Sequence, residues 1–130
     1  NRLVETRTRR LLQERFATTL PRFDLMAQLE RAPAGLKMGE LSKRMMVTGG
    51  NVTGITDGLA KDGLVERVPD PDDRRAILVR LTPAGRRSFA AMAAEHERWI
   101  VEAFGALTRR EMATMATLLA RLKAHVRSLE

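Results

Sequence analysis

The 130-residue sequence has no cysteine, no tyrosine and a single tryptophan, and these shortages narrow the choice of function. Without cysteine the chain has no disulfide, no thiol nucleophile and no thiol redox sensor, which fits a cytoplasmic protein. No apolar run approaches the ~20 residues that a membrane-spanning helix needs, and no stretch resembles a signal peptide. We therefore expect a cytoplasmic protein without a membrane partner.

The motifs of common enzyme classes are missing as well. A phosphate-binding P-loop is excluded because Gly54 is followed by Ile55 rather than by lysine, and neither a Gly-x-Ser-x-Gly nor an HExxH motif occurs. With His96 and His125 as the only histidines, a zinc site would need carboxylates at unmarked positions. We expect no enzyme activity, no metal and no cofactor.

What the sequence does have is positive charge. Its 23 Lys+Arg against 16 Asp+Glu give a net charge of +7 and an isoelectric point near 11.1. Such a surface suits a polyanion, nucleic acid before an anionic membrane, although a merely basic soluble surface is the alternative. Residues 88–130 are nearly neutral, with six basic and five acidic side chains, so this part is expected to pack rather than to contact a polyanion.

Apolar residues at helical spacing predict four helices in the first half of the chain. The first covers residues 1–18, the second starts around Thr19 and Pro21, and the third covers about residues 38–45. The fourth covers residues 48–61, with Thr48 as its N-cap and a stop at Gly63. The three glycines near Thr48 therefore mark a helix start rather than a nucleotide-binding loop.

The segment after Gly63 changes to an alternating pattern, which predicts strands at 64–68 and 76–82. The intervening VPDPDDRR is too long for a two-residue turn and is expected to project as a charged loop. Thr82-Pro83 and the capping box Thr108-Arg109-Arg110-Glu111 then begin two long helices. Their apolar faces exceed what a small core can cover, which favours a partner chain, and Trp99 is expected to lie off the apolar face.

Helix, short turn, helix, strand, basic loop and strand is the arrangement of a winged helix-turn-helix, in which an exposed helix enters the major groove of DNA. The wing would bring an arginine to the negative minor groove. An ordinary solvated turn is the other explanation for these arginines, and a protein-interaction module that does not bind DNA is the alternative function. The residues expected to contact DNA, or to hold those that do, are Thr48, Gly49, Gly50, Asn51, Thr53, Lys61, Asp73, Arg74 and Arg75.

The stretch LSKRMMVTGGNVTGITDGLAKDGLVERVPDPDDRRAILVRLTPAGR, residues 41–86, resembles the MarR family of dimeric transcriptional regulators. Its most specific part is DPDDRRAILVRLTPAG, and the order of helices agrees over all 130 residues. The resemblance implies that Asp73 orients Arg75, that Arg75 enters the minor groove and that Arg74 contacts phosphate. Gly54 departs from the family, whose recognition helix often has a larger polar or basic side chain there.

The resemblance also implies a fold and a mode of regulation. The expected fold is mainly α with a small β-hairpin wing: a single MarR-like domain over 1–130, with a winged helix-turn-helix lobe at 20–82 and dimerisation helices at 1–18 and 83–130. The expected function is that of a homodimeric repressor which binds a pseudo-palindromic operator and is released by a small organic effector. The resemblance implies an aromatic or other organic acid as the effector. A larger anion such as an aromatic acyl-CoA is favoured by the positive charge of Arg7, Arg9, Arg10, Arg15 and Arg22, if those in the first helix are not simply a solvated helix face.

The expected effector pocket lies where the dimerisation helices meet the winged helix-turn-helix lobe. His96 and the methionines can equally be core residues. The residues expected to line the pocket are Arg7, Arg15, Phe16, Arg22, Phe23, Met26, His96 and Trp99.

Overall fold

The computed structural model describes residues 2–45 and 49–130, which form a mainly helical chain with one small antiparallel sheet. The chain divides into two compact units, residues 1–96 and residues 97–130. The elements are α1 (Arg2–Phe16), α2 (Leu20–Glu30), β1 (Leu36–Lys37), α3 (Met38–Met45), α4 (Gly49–Lys61), β2 (Val65–Asp70), β3 (Asp73–Leu81), α5 (Pro83–Ala103) and α6 (Arg109–Ser128).

Side-chain caps define three of the helix starts that the sequence predicts. The hydroxyl of Thr19 accepts a hydrogen bond from the backbone nitrogen of Arg22 at 3.3 Å, and that of Thr82 accepts one from the first turn of α5 at 3.0 Å. At α6, Thr108 and Glu111 form the reciprocal capping box, with bonds of 3.1 and 2.9 Å. Each cap satisfies backbone N–H groups that have no partner within the helix.

The core of the first unit is built from apolar residues of α1 to α5 and of all three strands. Burying these side chains is the main source of stability in a domain of this size. The fully or nearly fully buried residues are Leu11, Leu12, Phe23, Leu25, Met26, Leu29, Leu36, Leu41, Val52, Leu59, Val65, Val79, Leu81 and Met92.

The sheet has three strands in the order β1-β3-β2, so it contains one strand more than the predicted hairpin. β1 places Leu36 opposite Val79 and Lys37 opposite Leu78. Gly35 precedes it with φ +108°, a left-handed conformation in which a Cβ would lie 2.9 Å from the carbonyl oxygen of Val79. A strand of two residues is too short to show an alternating pattern, which is why the sequence does not reveal it.

The predicted long wing loop is wrong, because β2 and β3 continue almost to the tip. Only residues 71–72 separate them, and the register of the two strands shifts between Pro69 and Asp70. The carboxylate of Asp70 accepts from the backbone nitrogen of Asp72 at 2.9 Å, and that of Asp73 accepts from Arg75 at 3.0 Å. These side-chain bonds stabilise a tight turn, so the aspartates of VPDPDDRR close the hairpin instead of lengthening its loop.

The two long helices differ in burial. Trp99 on α5 is 4% exposed, so the prediction that it lies off the apolar face is wrong: the intervals from 92 to 96 and from 96 to 99 are those of one helix face. In contrast, α6 has no buried residue. Within the described ranges, no helix is long and apolar enough to cross a membrane.

Candidate nucleic-acid interface

Helix α4 has a buried inner face and an exposed polar outer face. Its inner face buries Val52, Thr56 and Leu59 completely, and the Thr56 hydroxyl donates to the carbonyl oxygen of Val52 at 2.7 Å, so this polar side chain is satisfied within the helix. The outer positions are exposed as predicted: Asn51, Thr53, Gly54, Asp57 and Lys61. The helix begins at Gly49, and its predicted cap Thr48 lies outside the described residues.

The wing is joined to α4 and reinforced by ion pairs along its strands. Arg67 on β2 forms an ion pair with Asp57 on the outer surface of α4. Further along the hairpin, the Nε of Arg80 donates to Oε1 of Glu66 at 2.7 Å across β2 and β3. Because Asp57 is neutralised by a wing residue, it does not repel a nearby phosphate as a lone carboxylate would.

The wing tip carries two arginines in exposed positions. Arg74 and Arg75 begin β3 directly after the turn, and both are exposed. Asp73 bonds the backbone nitrogen of Arg75, which fixes the main chain from which this side chain extends. In the part of the chain that the structure describes, neither guanidinium forms an ion pair, so both can meet an external anion without breaking an internal contact.

The structure places the predicted effector residues in different surroundings. Phe23 and Met26 are core residues, with the ring of Phe23 5.4 Å from that of Phe89 and 4.9 Å from that of His96. Arg22 does line a cavity of about 580 Å³. The residues around this cavity are Arg9, Thr19, Pro21, Arg22, Asn51, Gly54 and Ile55. Trp99 belongs to the second unit, and the predicted pocket as a whole stays a prediction.

The arginines of α1 are partly neutralised by their own helix. Arg9 donates to Oε1 of Glu5 at 2.7 Å, and this hydrogen bond with its charge lowers the pKa of the Glu5 carboxyl. Arg10 approaches Glu14 at 3.5 Å. Such exposed pairs at i, i+4 are weak, but they reduce the positive charge that this helix offers to an anion.

Two ion pairs around α4 are not evident from the sequence. Asp57 with Arg67, and Arg22 with Asp62, form ion pairs that bring together residues distant in sequence. A second cavity, of about 360 Å³, lies between α2 and α5 and also carries no sequence signal. Nothing in the local periodicity reveals such partners, since a charged residue on an exposed helix face fits every pairing equally well.

Three comparisons with known proteins fit this geometry. The MarR family model matches residues 18–77. The uncharacterized HTH-type transcriptional regulator YsmB from Bacillus subtilis is 29% identical over 93% of this chain and 82% of its own length. A MarR family transcriptional regulator from Silicibacter pomeroyi is 34% identical, with a TM-score of 0.78 over 98% of this chain and 86% of that one.

A mutant of MarR from E. coli, solved in complex with operator DNA, is 30% identical to this chain. The two superpose with a TM-score of 0.79, and the match covers 93% of this chain and 89% of the E. coli chain. The match extends through α4, the wing and the long helices rather than the helix-turn-helix alone. The chain therefore belongs to the MarR family of winged-helix transcriptional regulators.

Proposed function

We propose that the protein is a cytoplasmic repressor that binds a pseudo-palindromic operator as a homodimer and releases it when a small organic effector binds. The observation that carries the proposal is that two exposed arginines, Arg74 and Arg75, lie at the tip of a wing that is ion-paired to the exposed polar face of α4. The ion pair between Arg67 and Asp57 joins the wing to this helix, and a winged helix uses these two elements in adjacent DNA grooves. The relative bound to operator DNA supports this use of the fold.

In this proposal α4 enters the major groove and the wing tip enters the flanking minor groove. Asn51 and Thr53 have the hydrogen-bonding groups to reach base edges or phosphates, and Lys61 adds a phosphate contact at the other end of the helix. Gly54 allows close approach but offers no side chain for base readout. Specificity therefore depends on Asn51, Thr53 and the shape of the minor groove that receives Arg75.

The direct test replaces Arg75 with alanine. We expect a loss of about 1–3 kcal/mol in binding to a duplex that the parent protein has selected from a random-sequence library, the scale of one specific contact. The matched control is Arg31→Ala, which removes an exposed arginine at the C-terminal end of α2, outside the proposed DNA-binding residues. If both variants bind the selected duplex as tightly as the parent at matched salt, the assignment of the wing is wrong.

The same titration distinguishes DNA binding from a protein-interaction module. Neutralising several phosphates releases counterions, so the affinity of a DNA-binding protein falls steeply as salt concentration rises. We expect a strongly negative slope for the parent on the selected duplex. A chain that selects no duplex from the library, and binds DNA without a steep salt dependence, belongs to the alternative class.

The homodimer is supported by the apolar face of α6. This helix buries none of its residues, yet apolar side chains recur on it at intervals of three and four residues. A second copy would cover them and would set the distance between two recognition helices at about one turn of DNA. The exposed apolar residues of α6 and its C-cap are Met112, Leu118, Leu119, Leu122, Val126 and Leu129.

The effector is proposed to be an aromatic acid or an aromatic acyl-CoA. The cavity lined by Arg9 and Arg22 combines cationic groups with the apolar surfaces of Pro21 and Ile55, and it includes Asn51 on the DNA-binding helix. An organic acid there would favour a dimer whose recognition helices are badly spaced for DNA, because a ligand shifts the population toward the state it binds better. The ion pairs of Arg9 and Arg10 weaken the case for the larger, more highly charged acyl-CoA.

A ligand screen tests this part separately. Thermal shift and release of the selected duplex are measured with benzoic and hydroxybenzoic acids beside their CoA thioesters. Release by the acids alone excludes the acyl-CoA, and release by neither class excludes this effector proposal while leaving DNA binding intact.

A further inference from the structure

The guanidinium of Arg22 lies against α4 in the space that a side chain at position 58 would fill. Gly58 is glycine, and a Cβ built on it would lie 2.5 Å from Nη2 of Arg22, 3.4 Å from its Cζ and 3.6 Å from its Nε. These distances are shorter than or equal to van der Waals contact. The absence of a side chain at Gly58 is therefore what admits Arg22 to this position.

An ion pair holds Arg22 in that position. Its Nη1 donates to Oδ2 of Asp62 at 2.9 Å, one helical turn beyond Gly58. Both ends of the pair have a fixed main chain: the backbone nitrogen of Arg22 is capped by Thr19, and that of Asp62 donates to the carbonyl oxygen of Gly58 at 3.2 Å. The Arg22 side chain is 27% exposed, so water screens this pair less than it screens a fully exposed one.

The position of Asp62 gives the pair a second effect. Asp62 follows the last residue of α4, where the partial negative charge of the helix end disfavours a carboxylate. The guanidinium of Arg22 neutralises that carboxylate and lies close to the same helix end. The C-terminal part of α4 is thus stabilised by a residue of α2.

A different guanidinium holds the other side of α4. Asp57 and Asp62 point to opposite flanks of the helix, since five residues correspond to about 140° of rotation. Asp57 pairs with Arg67 of β2, whereas Asp62 pairs with Arg22 of α2. Together the two pairs fix the rotation of α4 about its own axis relative to the start of α2 and to the wing.

We propose that Arg22 is a positioning residue for DNA recognition, which acts through Gly58 and Asp62 to set the orientation of α4. It does this without contacting DNA. The inference rests on the proposed entry of α4 into the major groove, because a helix that rotates loses its aligned base contacts before it loses its phosphate contacts. Arg22 then contributes to operator affinity and discrimination rather than to general attraction for DNA.

The charge of Asp62 gives a test whose sign separates positioning from electrostatics. Replacing Asp62 with asparagine removes a negative charge near DNA, and charge alone would strengthen binding to a polyanion. Positioning predicts the reverse, a loss of about three- to tenfold on the selected duplex, the scale of one partly exposed ion pair. Tighter binding of Asp62→Asn would refute the proposal.

Gly58→Ala provides the second test. Alanine is normally more favourable than glycine in a helix interior, and the three atoms nearest to the added Cβ all belong to the flexible end of Arg22. We expect Gly58→Ala to keep or raise the melting temperature while it lowers affinity for the selected duplex about three- to tenfold, as Arg22→Ala does. The control is Gly39→Ala on α3, where a Cβ meets nothing within 4 Å.

The double variant and the salt dependence complete the design. If Gly58→Ala acts by displacing Arg22, adding it to Arg22→Ala produces no further loss of affinity. A positioning residue leaves the slope of log affinity against log salt unchanged, whereas a lost phosphate contact reduces its magnitude by about 0.9. Additive losses would show that Gly58→Ala does not act through Arg22, and a reduced slope for Arg22→Ala would show that Arg22 contacts DNA directly. Either result contradicts the proposal.

A measurement without DNA separates this inference from the proposed function. Amide hydrogen exchange of the free protein should accelerate at residues 58–64 in Arg22→Ala and in Asp62→Asn, because the end of α4 opens more readily without the pair. Unchanged exchange refutes the positioning role even if the parent binds DNA. Accelerated exchange in a chain that selects no duplex would instead confirm the contact and refute the function proposed for α4.

Discussion

A single methyl group added at Gly85, in the first turn of α5, should lower the stability of the fold. The glycine is buried, and a Cβ built on it would overlap the carbonyl oxygen of Leu64 and lie 2.9 Å from its carbonyl carbon. Leu64 cannot yield easily, because its carbonyl oxygen accepts from the backbone nitrogen of Thr82 at 3.1 Å. Beside it, the Thr82 hydroxyl donates to the carbonyl oxygen of Gly63 at 2.7 Å.

The cost of Gly85→Ala follows from these contacts. Relief of the overlap requires a backbone shift, and overpacking of this kind costs about 1–3 kcal/mol. Weakening the two bonds of Thr82 adds about 1 kcal/mol each, and the better helix propensity of alanine returns at most about 1 kcal/mol. We expect a net loss of about 2–4 kcal/mol in the free energy of unfolding.

Urea denaturation at a fixed protein concentration measures this loss, with the fixed concentration keeping any contribution from self-association constant. Gly39→Ala is the control, since it also adds a methyl group to a helical glycine but into open space. We expect the control to lie within about 0.5 kcal/mol of the parent. If Gly85→Ala is equally neutral, the close packing of α5 on the segment after α4 is refuted.

Three further predictions concern assembly, pH and the sheet. Leu122→Glu places a charge in the exposed apolar face of α6 and should give a monomer by light scattering at micromolar concentration, whereas Thr117→Glu on the opposite side should not; a dimeric Leu122→Glu would refute this interface. Partial burial raises the pKa of Asp24, so the folded state holds its proton more tightly and loses stability as pH rises through that pKa. Asp24→Asn should therefore raise the melting temperature at pH 7 but not below the ordinary carboxyl pKa, and an equal rise at both pH values would contradict the assignment. Gly35→Ala should lower the free energy of unfolding by about 1–3 kcal/mol in urea, because φ +108° and the Val79 carbonyl oxygen both oppose a Cβ, and a neutral result would exclude that strain.

The sequence predicts those features that depend on neighbours along the chain. Helix periodicity and the caps at Thr19 and Thr108 place the helices within a few residues of their observed ends. The prediction from sequence is wrong at the wing tip, because the same aspartates that suggest a solvated loop make the hydrogen bonds of a tight turn. Whether a polar side chain is solvated or bonded to nearby backbone is decided by geometry that composition does not contain.

The candidate site likewise has some features that the sequence predicts and others that depend on tertiary packing. Exposure of Asn51, Thr53 and Lys61 follows from the buried face of their own helix, so sequence alone predicts it. The contact between Arg22 and Gly58 depends on how α2 crosses α4, which is a property of tertiary packing. A glycine in a helix interior suggests a close approach, but it does not identify the atom that approaches.

The two-residue strand β1 supports the base of the wing but not its tip. β3 is paired on both sides where β1 reaches Leu78 and Val79, whereas nearer the tip the register gives only Ile77 opposite Pro69 and Asp73 opposite Asp70, both on β2. The segment from Leu78 to Arg74 is therefore anchored on both sides only at its Leu78 end, and it is about 13 Å long at 3.3 Å per residue. In the proposed DNA complex, this outer segment would then bend more easily than the paired base of the hairpin and follow minor grooves of different width. Operators that differ in groove width at the wing would then be tolerated to a degree set by the length of β1, and a longer β1 would make the protein more selective without changing a single residue that contacts DNA.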